Sequence, residues 1–175
     1  MMAMARLVSK ESRQDADELK SQGLESFKAL GTGVKVLSRM QLGQKDLERL
    51  GQAGARKPAP GAPKPDYVFY AGCNVLKTPH IALLCLDIMD ALGIKYEVLG
   101  GPSHCCGILQ YRAGDIETSS KVATNSIEKF QGSGATEVLS WCPTCQVQYA
   151  EFGLPTYEAA TGAKPLKMTP FVLFL

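Results

Sequence analysis

Hydrophobic and polar positions divide the chain into three stretches. Over residues 1–50, Leu19, Leu24, Phe27 and Leu30 fall near helical spacing, with Asp15, Asp17 and Glu18 early in the run. This predicts a helical N-terminal arm, broken by Gly31 and Gly33 and resumed over 34–50. Residues 51–65, "GQAGARKPAPGAPKP", are rich in Pro, Gly, Ala and Lys, which predicts a semi-rigid linker. From residue 66 onward the pattern alternates. "YVFYAG" is a short apolar run of the kind found in strands buried on both faces of a sheet. "HIALLCLDIMDALG" has helical periodicity and a glycine stop, and "KYEVLG" reads as a second strand. A helix over 115–130, a third strand in "TEVLSW", a helix from Pro143 and a short strand near 166–168 complete the series. The order β-α-β-α-β-α-β predicts an α/β domain over 66–175, a small parallel Rossmann-like sheet.

Composition changes this picture little. With 175 residues, 45% hydrophobic and 21% charged, the chain has the balance of one globular domain plus an extension. The net charge of +2 gives no ground for nucleic-acid binding. Residues 1–66 hold 12 Lys/Arg and 8 Asp/Glu, so the mild basicity belongs to the arm, where a solvated face accounts for it. No apolar run approaches the ~20 residues needed to span a bilayer. The start, "MMAMARLVSKES", lacks a continuous apolar h-region, so a cytoplasmic location is expected. Thiols stay reduced there, and clustered cysteines read as metal or redox sites rather than as a disulfide framework.

The six cysteines give the chemistry its place. Cys73 follows the first predicted strand, Cys105 and Cys106 follow the second, and Cys142 and Cys145 follow the third. Parallel strands end on one rim, where ligands bind, so five thiols from three loops should converge. Cys85 lies inside the helical "ALLCLDI" and reads as a small buried hydrophobe. A structural zinc takes four ligands, leaving a fifth thiol surplus. An iron–sulfur cluster is held by thiolates and accommodates more. Gly107 would let the loop backbone pass close by, and Pro143 suits a first helical turn. "SWCPTCQ" also has the strand–Cys-x-x-Cys–helix setting of a thioredoxin dithiol, with "TP" at Thr169–Pro170 further on. A thioredoxin, however, has no use for cysteines in the two earlier loops.

The order Cys, Cys-Cys-Gly, Cys-x-x-Cys, with 31 residues between Cys73 and Cys105 and 35 between Cys106 and Cys142, resembles a known family. It is similar to the cysteine-rich "CCG" domain of heterodisulfide reductases and related iron–sulfur oxidoreductases. "YVFYAGCN", "GGPSHCCG" and "SWCPTCQ" carry the likeness, which covers 66–175. The resemblance implies a noncubane [4Fe-4S] cluster on Cys73, Cys105, Cys106, Cys142 and Cys145, with zinc as the alternative metal. It implies reduction of a disulfide or another small redox substrate, with electrons arriving through a ferredoxin-like iron–sulfur subunit. Family members usually carry two such motifs and this chain has one. A second CCG-containing chain or half is therefore expected, and the apolar end "TPFVLFL" suits a fragment or a paired subunit. The alternative is a non-catalytic module, holding zinc or a cluster, that helps to assemble a larger oxidoreductase complex.

Among the neighbours, His104 precedes the cysteine pair and is the candidate catalytic proton donor, or else shields the cluster. Trp141 is expected beside the cluster, excluding water. His80 reads as the opening of the first domain helix, and Lys77 as a solvated cation.

Overall fold

The computed structural model describes residues 42–55 and 63–175. Of the helical arm expected over 1–50, residues 1–41 lie outside the described residues. Helix α1 spans Gln44–Ala55 and so runs five residues into the expected linker. Gln52, Ala53 and Ala55 are compatible with helix, and the first proline is Pro58. The rest of that linker up to residue 62 is also outside the described residues.

Four short strands form the sheet: β1 Tyr67–Gly72, β2 Tyr96–Gly100, β3 Glu137–Ser140 and β4 Lys167–Pro170. Their order is β2-β1-β3-β4, and every neighbouring pair is parallel. Phe69 stands opposite Val98 on one side and Leu139 on the other, which fixes the register. The fold is the α/β arrangement that the alternating pattern predicts.

Side-chain alternation divides β1 between two cores. Val68 and Tyr70 join Val138, Met168, Ile127 and Phe130 on one face. Phe69 and Ala71 join Leu139, Leu86, Met89 and Phe171 on the other. Val68, Phe69 and Tyr70 are all fully buried, which is why "YVFYAG" carries no polar alternation.

Helix α2 (Pro79–Ala91) crosses from β1 to β2 and buries Ala82, Leu83, Cys85, Leu86 and Met89 against the second face. Pro79 occupies its first turn, where a missing N–H is harmless. A short helix α3 (Ile108–Arg112), absent from the sequence reading, precedes α4 (Ile116–Gly132). Asp115 caps α4 by accepting the Thr118 N–H at 3.1 Å. Ala123, Ile127 and Phe130 recur at helical spacing, which lays α4 on the first face. Beyond β3 come α5 (Pro143–Gln148), one π-helical turn (Tyr149–Gly153) and α6 (Leu154–Thr161). The terminal α7 (Phe171–Phe174) buries Phe171, while Val172, Leu173 and Leu175 are exposed.

From β1 the chain moves to β2 on one side, then returns to β3 on the other. The switch point between β1 and β3 opens a crevice at the strand C-termini. Among the described residues, no helix is long and apolar enough to cross a membrane.

Candidate metal centre

Strands β1, β2 and β3 each hand their cysteines to that rim through a turn that the sequence prepares. Gly72 ends β1 with φ 59°, and the 3-10 turn Cys73–Leu76 follows. A side chain at Gly72 would meet the Tyr70 hydroxyl at 3.4 Å and Cys145 Sγ at 3.5 Å. The space is thus kept by the missing Cβ, and the left-handed backbone favours glycine as well. After β2, a 3-10 turn at Pro102–His104 leads into Cys105 and Cys106. Gly107, at φ 78°, passes so near α4 that a Cβ would lie 2.6 Å from the Ser119 carbonyl oxygen. Ser119 Oγ donates to the Gly107 carbonyl at 2.9 Å, joining loop to helix. After β3, Cys142 stands at the start of α5 with Pro143 next, and Cys145 lies one turn in.

The five thiols form one connected set. Cys73 meets Cys105, Cys105 meets Cys106, Cys106 meets Cys145, and Cys145 meets Cys142, each pair in side-chain hydrogen-bond reach. Cys105, Cys106, Cys142 and Cys145 are buried, and Cys73 is half-exposed. All six cysteines are free thiols.

Crowding of one thiol by the next sets the order of ionisation. The Cys105 sulfur accepts from Cys106, from Cys73 and from the Gly107 N–H, and its pKa is held down at about 3. Cys142 accepts from Cys145 and from the backbone N–H groups of Cys145 and Thr144, and lies at about 6. Cys106, donating to Cys105, is pushed up to about 11. Donation to Cys105 likewise pushes Cys73 far up, and donation to Cys106 and Cys142 does so for Cys145. Two of the five sulfurs, one on the second loop and one on the third, are therefore the first to become thiolates.

A layer of hydroxyls fastens the loops from beneath. Tyr70 donates to the His104 carbonyl at 2.7 Å and approaches Cys145 Sγ at 3.9 Å. Ser126 Oγ and the Tyr149 hydroxyl both donate to the Cys105 carbonyl, at 2.9 and 3.3 Å. Asn74 Nδ2 lies 3.9 Å from Cys142 Sγ. The rings of Tyr70, Tyr149 and Phe130 meet edge to face at 5.2–5.7 Å, forming an aromatic floor. Gln146 Nε2 donates to the Met168 carbonyl at 3.1 Å, tying α5 to β4. The sequence reading missed Tyr70, Tyr149 and Ser126, because apolar neighbours and helical spacing mark them as ordinary core.

Three expectations meet a mixed outcome. His104 is beside the pair, but its Nδ1 lies 2.8 Å from the Gly100 carbonyl and so donates to it, turning the ring toward the end of β2. Trp141 does not pack with the thiol-bearing core. It follows β3 and points to the opposite face, packing with the Phe69–Phe171 cluster while its Nε1 donates to the Ala71 carbonyl at 3.0 Å. Cys85 is buried on that opposite face, as its helical setting requires. Lys77 and His80 are exposed.

Among the described residues, no group of three or more His, Cys, Asp and Glu side chains is arranged to hold a single metal ion. The connected thiols extend across three loops instead, and this donor set suits a multi-iron group. Gly72, with no Cβ beside Cys145 Sγ, keeps the rim open to such a group.

Residues 67–149 match the CCG family, described as a cysteine-rich domain. Three curated relatives, all from Methanosarcina, are each described as one subunit of a dihydromethanophenazine:CoB–CoM heterodisulfide reductase. The protein of Methanosarcina acetivorans is 30% identical over 88 residues, covering 48% of this chain and 22% of the relative. That of Methanosarcina barkeri is 30% identical over 86 residues (47% and 21%), and that of Methanosarcina mazei 28% over 86 (47% and 21%). This chain thus spans about a fifth of the length of these relatives. No solved structure matches. Over residues 67–149 the chain is thus similar to a CCG-type cysteine-rich domain.

Proposed function

We propose that this CCG-type domain holds an iron–sulfur cluster of the noncubane [4Fe-4S] type and works as a redox subunit of a heterodisulfide-reductase-like complex. Cys73, Cys105, Cys106, Cys142 and Cys145 are its ligands in this reading. The supporting observation is the single chain of five thiols drawn from three loops onto one rim. When bound, such a cluster supplies electrons singly for reductive cleavage of a disulfide or a related small redox substrate.

The chain's own residues do the rest. Cys105 and Cys142, already acidic, are ready to bind metal without waiting for a base. The floor of Tyr70, Tyr149 and Phe130 keeps water from the inner side. Cys73, half-exposed, marks the side on which the rim is open. His104 is the candidate proton donor. With Nδ1 committed to the Gly100 carbonyl, Nε2 is the nitrogen that would exchange a proton. A ferredoxin-like iron–sulfur subunit would deliver electrons, and a second CCG-containing chain or half would complete the site. The setting is cytoplasmic in this reading, because thiols stay reduced there.

Anaerobic purification followed by iron, sulfide and zinc analysis and EPR tests the assignment. About four irons and a similar amount of sulfide per chain are expected. One zinc without sulfide would favour an assembly module instead. A metal-free chain that reduces insulin disulfides would replace the cluster reading with a dithiol one.

A further inference from the structure

Tyr70 sits where the three cysteine loops meet. It belongs to β1, its hydroxyl donates to a carbonyl of the second loop, and the same hydroxyl faces the Cys145 sulfur of the third. Its side chain is fully buried. A phenylalanine would fill the same volume and keep the edge-to-face contacts with Phe130 and Tyr149. The hydroxyl adds nothing to that packing. Buried in a core, it is tolerated because it has partners: two lie on the cysteine loops and a third is the Tyr149 hydroxyl.

From this placement we propose that Tyr70 is a positioning residue that locks the second cysteine loop against Cys145 and sets the reduction potential of the group bound there. The proposal rests on the cluster reading above. The phenolic proton has the His104 carbonyl at 2.7 Å as its near acceptor, with the Cys145 sulfur at 3.9 Å and the Tyr149 hydroxyl also within reach. While Cys145 is a neutral thiol, the carbonyl takes it. Negative charge gathering on the ligating sulfurs draws the same proton toward sulfur, and a hydrogen bond to charged sulfur is stronger than one to a neutral group. An interaction that strengthens on reduction stabilises the reduced form and raises the potential. Gly72 lines the same space, where an added Cβ would lie in van der Waals contact with both the Tyr70 hydroxyl and Cys145 Sγ.

Tyr149 provides the control. Its hydroxyl reaches the Cys105 carbonyl at 3.3 Å and it belongs to the same aromatic floor. Tyr70→Phe and Tyr149→Phe therefore remove one buried hydroxyl each, and only the first faces a cysteine sulfur among the hydrogen bonds described. Two measurements decide. In metal-free chain, alkylation of Cys105 and Cys106 is expected to quicken about fivefold in Tyr70→Phe, the factor one lost hydrogen bond represents, with Cys85 unchanged. In cluster-loaded chain, spectroelectrochemical titration is expected to give a more negative midpoint for Tyr70→Phe than for wild type, with a smaller shift in Tyr149→Phe, whose hydroxyl touches that of Tyr70 but donates to no cysteine sulfur among the hydrogen bonds described. A ring-fluorinated tyrosine at position 70, a stronger donor of similar size, should shift the midpoint the opposite way. A loaded Tyr70→Phe variant with the wild-type potential overturns the proposal while leaving the cluster reading in place. An equal shift in Tyr149→Phe also overturns it. Wild-type chain that takes up no iron overturns the cluster reading, and the tuning role falls with it. In that case unchanged alkylation rates would remove the locking role too.

Discussion

The two faces of the sheet both bury aromatic and aliphatic side chains and do different work with them. The face under α2 and α7 is hydrocarbon, with Phe69, Leu86, Met89, Leu139 and Phe171 at its centre. The face under α4 sets hydroxyls among its hydrocarbon. Tyr70, Tyr149, Ser119 and Ser126 are all buried there, and the hydroxyl of each ends on a backbone carbonyl of the loop 104–107. Each face also buries cysteine: Cys85 on the first, Cys106, Cys142 and Cys145 on the second. A thiol among hydrocarbon is packing. A thiol beside other thiols, at the end of a parallel strand, is chemistry.

The contrast can be broken most sharply by exchanging thiols. Cys106→Ala is expected to abolish stoichiometric iron and sulfide, whereas Cys85→Ala should keep both and lose only a few degrees of melting temperature. Iron analysis and calorimetry on the two variants read this directly. Next in size is Phe69→Ala. Phe69 is fully buried in the hydrocarbon face, so its truncation should cost about 3–5 kcal/mol of stability in chemical denaturation. The chains that remain folded should still bind iron at the wild-type ratio, because no sulfur is touched.

The smallest effect concerns pH. In metal-free chain, the Cys142 pKa is depressed to about 6 from an ordinary 9.0, chiefly by the Cys145 thiol. Its contribution to stability is therefore complete above the unfolded value and is lost as pH falls toward 6. Burial raises the Cys85 pKa, so its contribution is complete below the unfolded value and is lost as pH rises. Between pH 7 and 8 neither group can change stability by more than about 1.4 kcal/mol. Denaturation curves across that interval should show a pH slope that is lost in Cys142→Ala and kept in Cys85→Ala, because the contribution of the raised Cys85 thiol is lost only above 9.0. A slope that survives in Cys142→Ala would mean that Cys142 is not the thiol held down.

Much of this architecture can be read from the chain because strands and cysteines follow each other directly. An apolar run, a glycine and a cysteine recur at Tyr67–Cys73, and the parallel order then dictates a common rim. The parts that could not be read depend on direction. Trp141 and Cys142 are adjacent, and pleating sends the tryptophan to the hydrocarbon face while the cysteine joins the other. Tyr70 occupies a position where a phenylalanine would give the same apolar pattern, so its hydroxyl acquires meaning only when the His104 carbonyl is placed above it. Ser126 has helical spacing within α4 and looks like a tolerated small residue until the Cys105 carbonyl is seen 2.9 Å away. Helix α3 is five residues long, too short for periodicity to reveal.

Because β1, β2 and β3 each deliver their sulfurs within a few residues of the last ladder bond, length tolerance along the chain is very uneven. The 31 and 35 residues that separate the cysteine groups reflect how long a helix is needed to cross the sheet, not what iron requires. Extra residues near Gly93, at the far end where an added Cβ would meet nothing, should pass unnoticed by the thiols. One residue inserted between Gly101 and Cys105 would displace a sulfur by about 3.3 Å, more than an iron–sulfur bond is long.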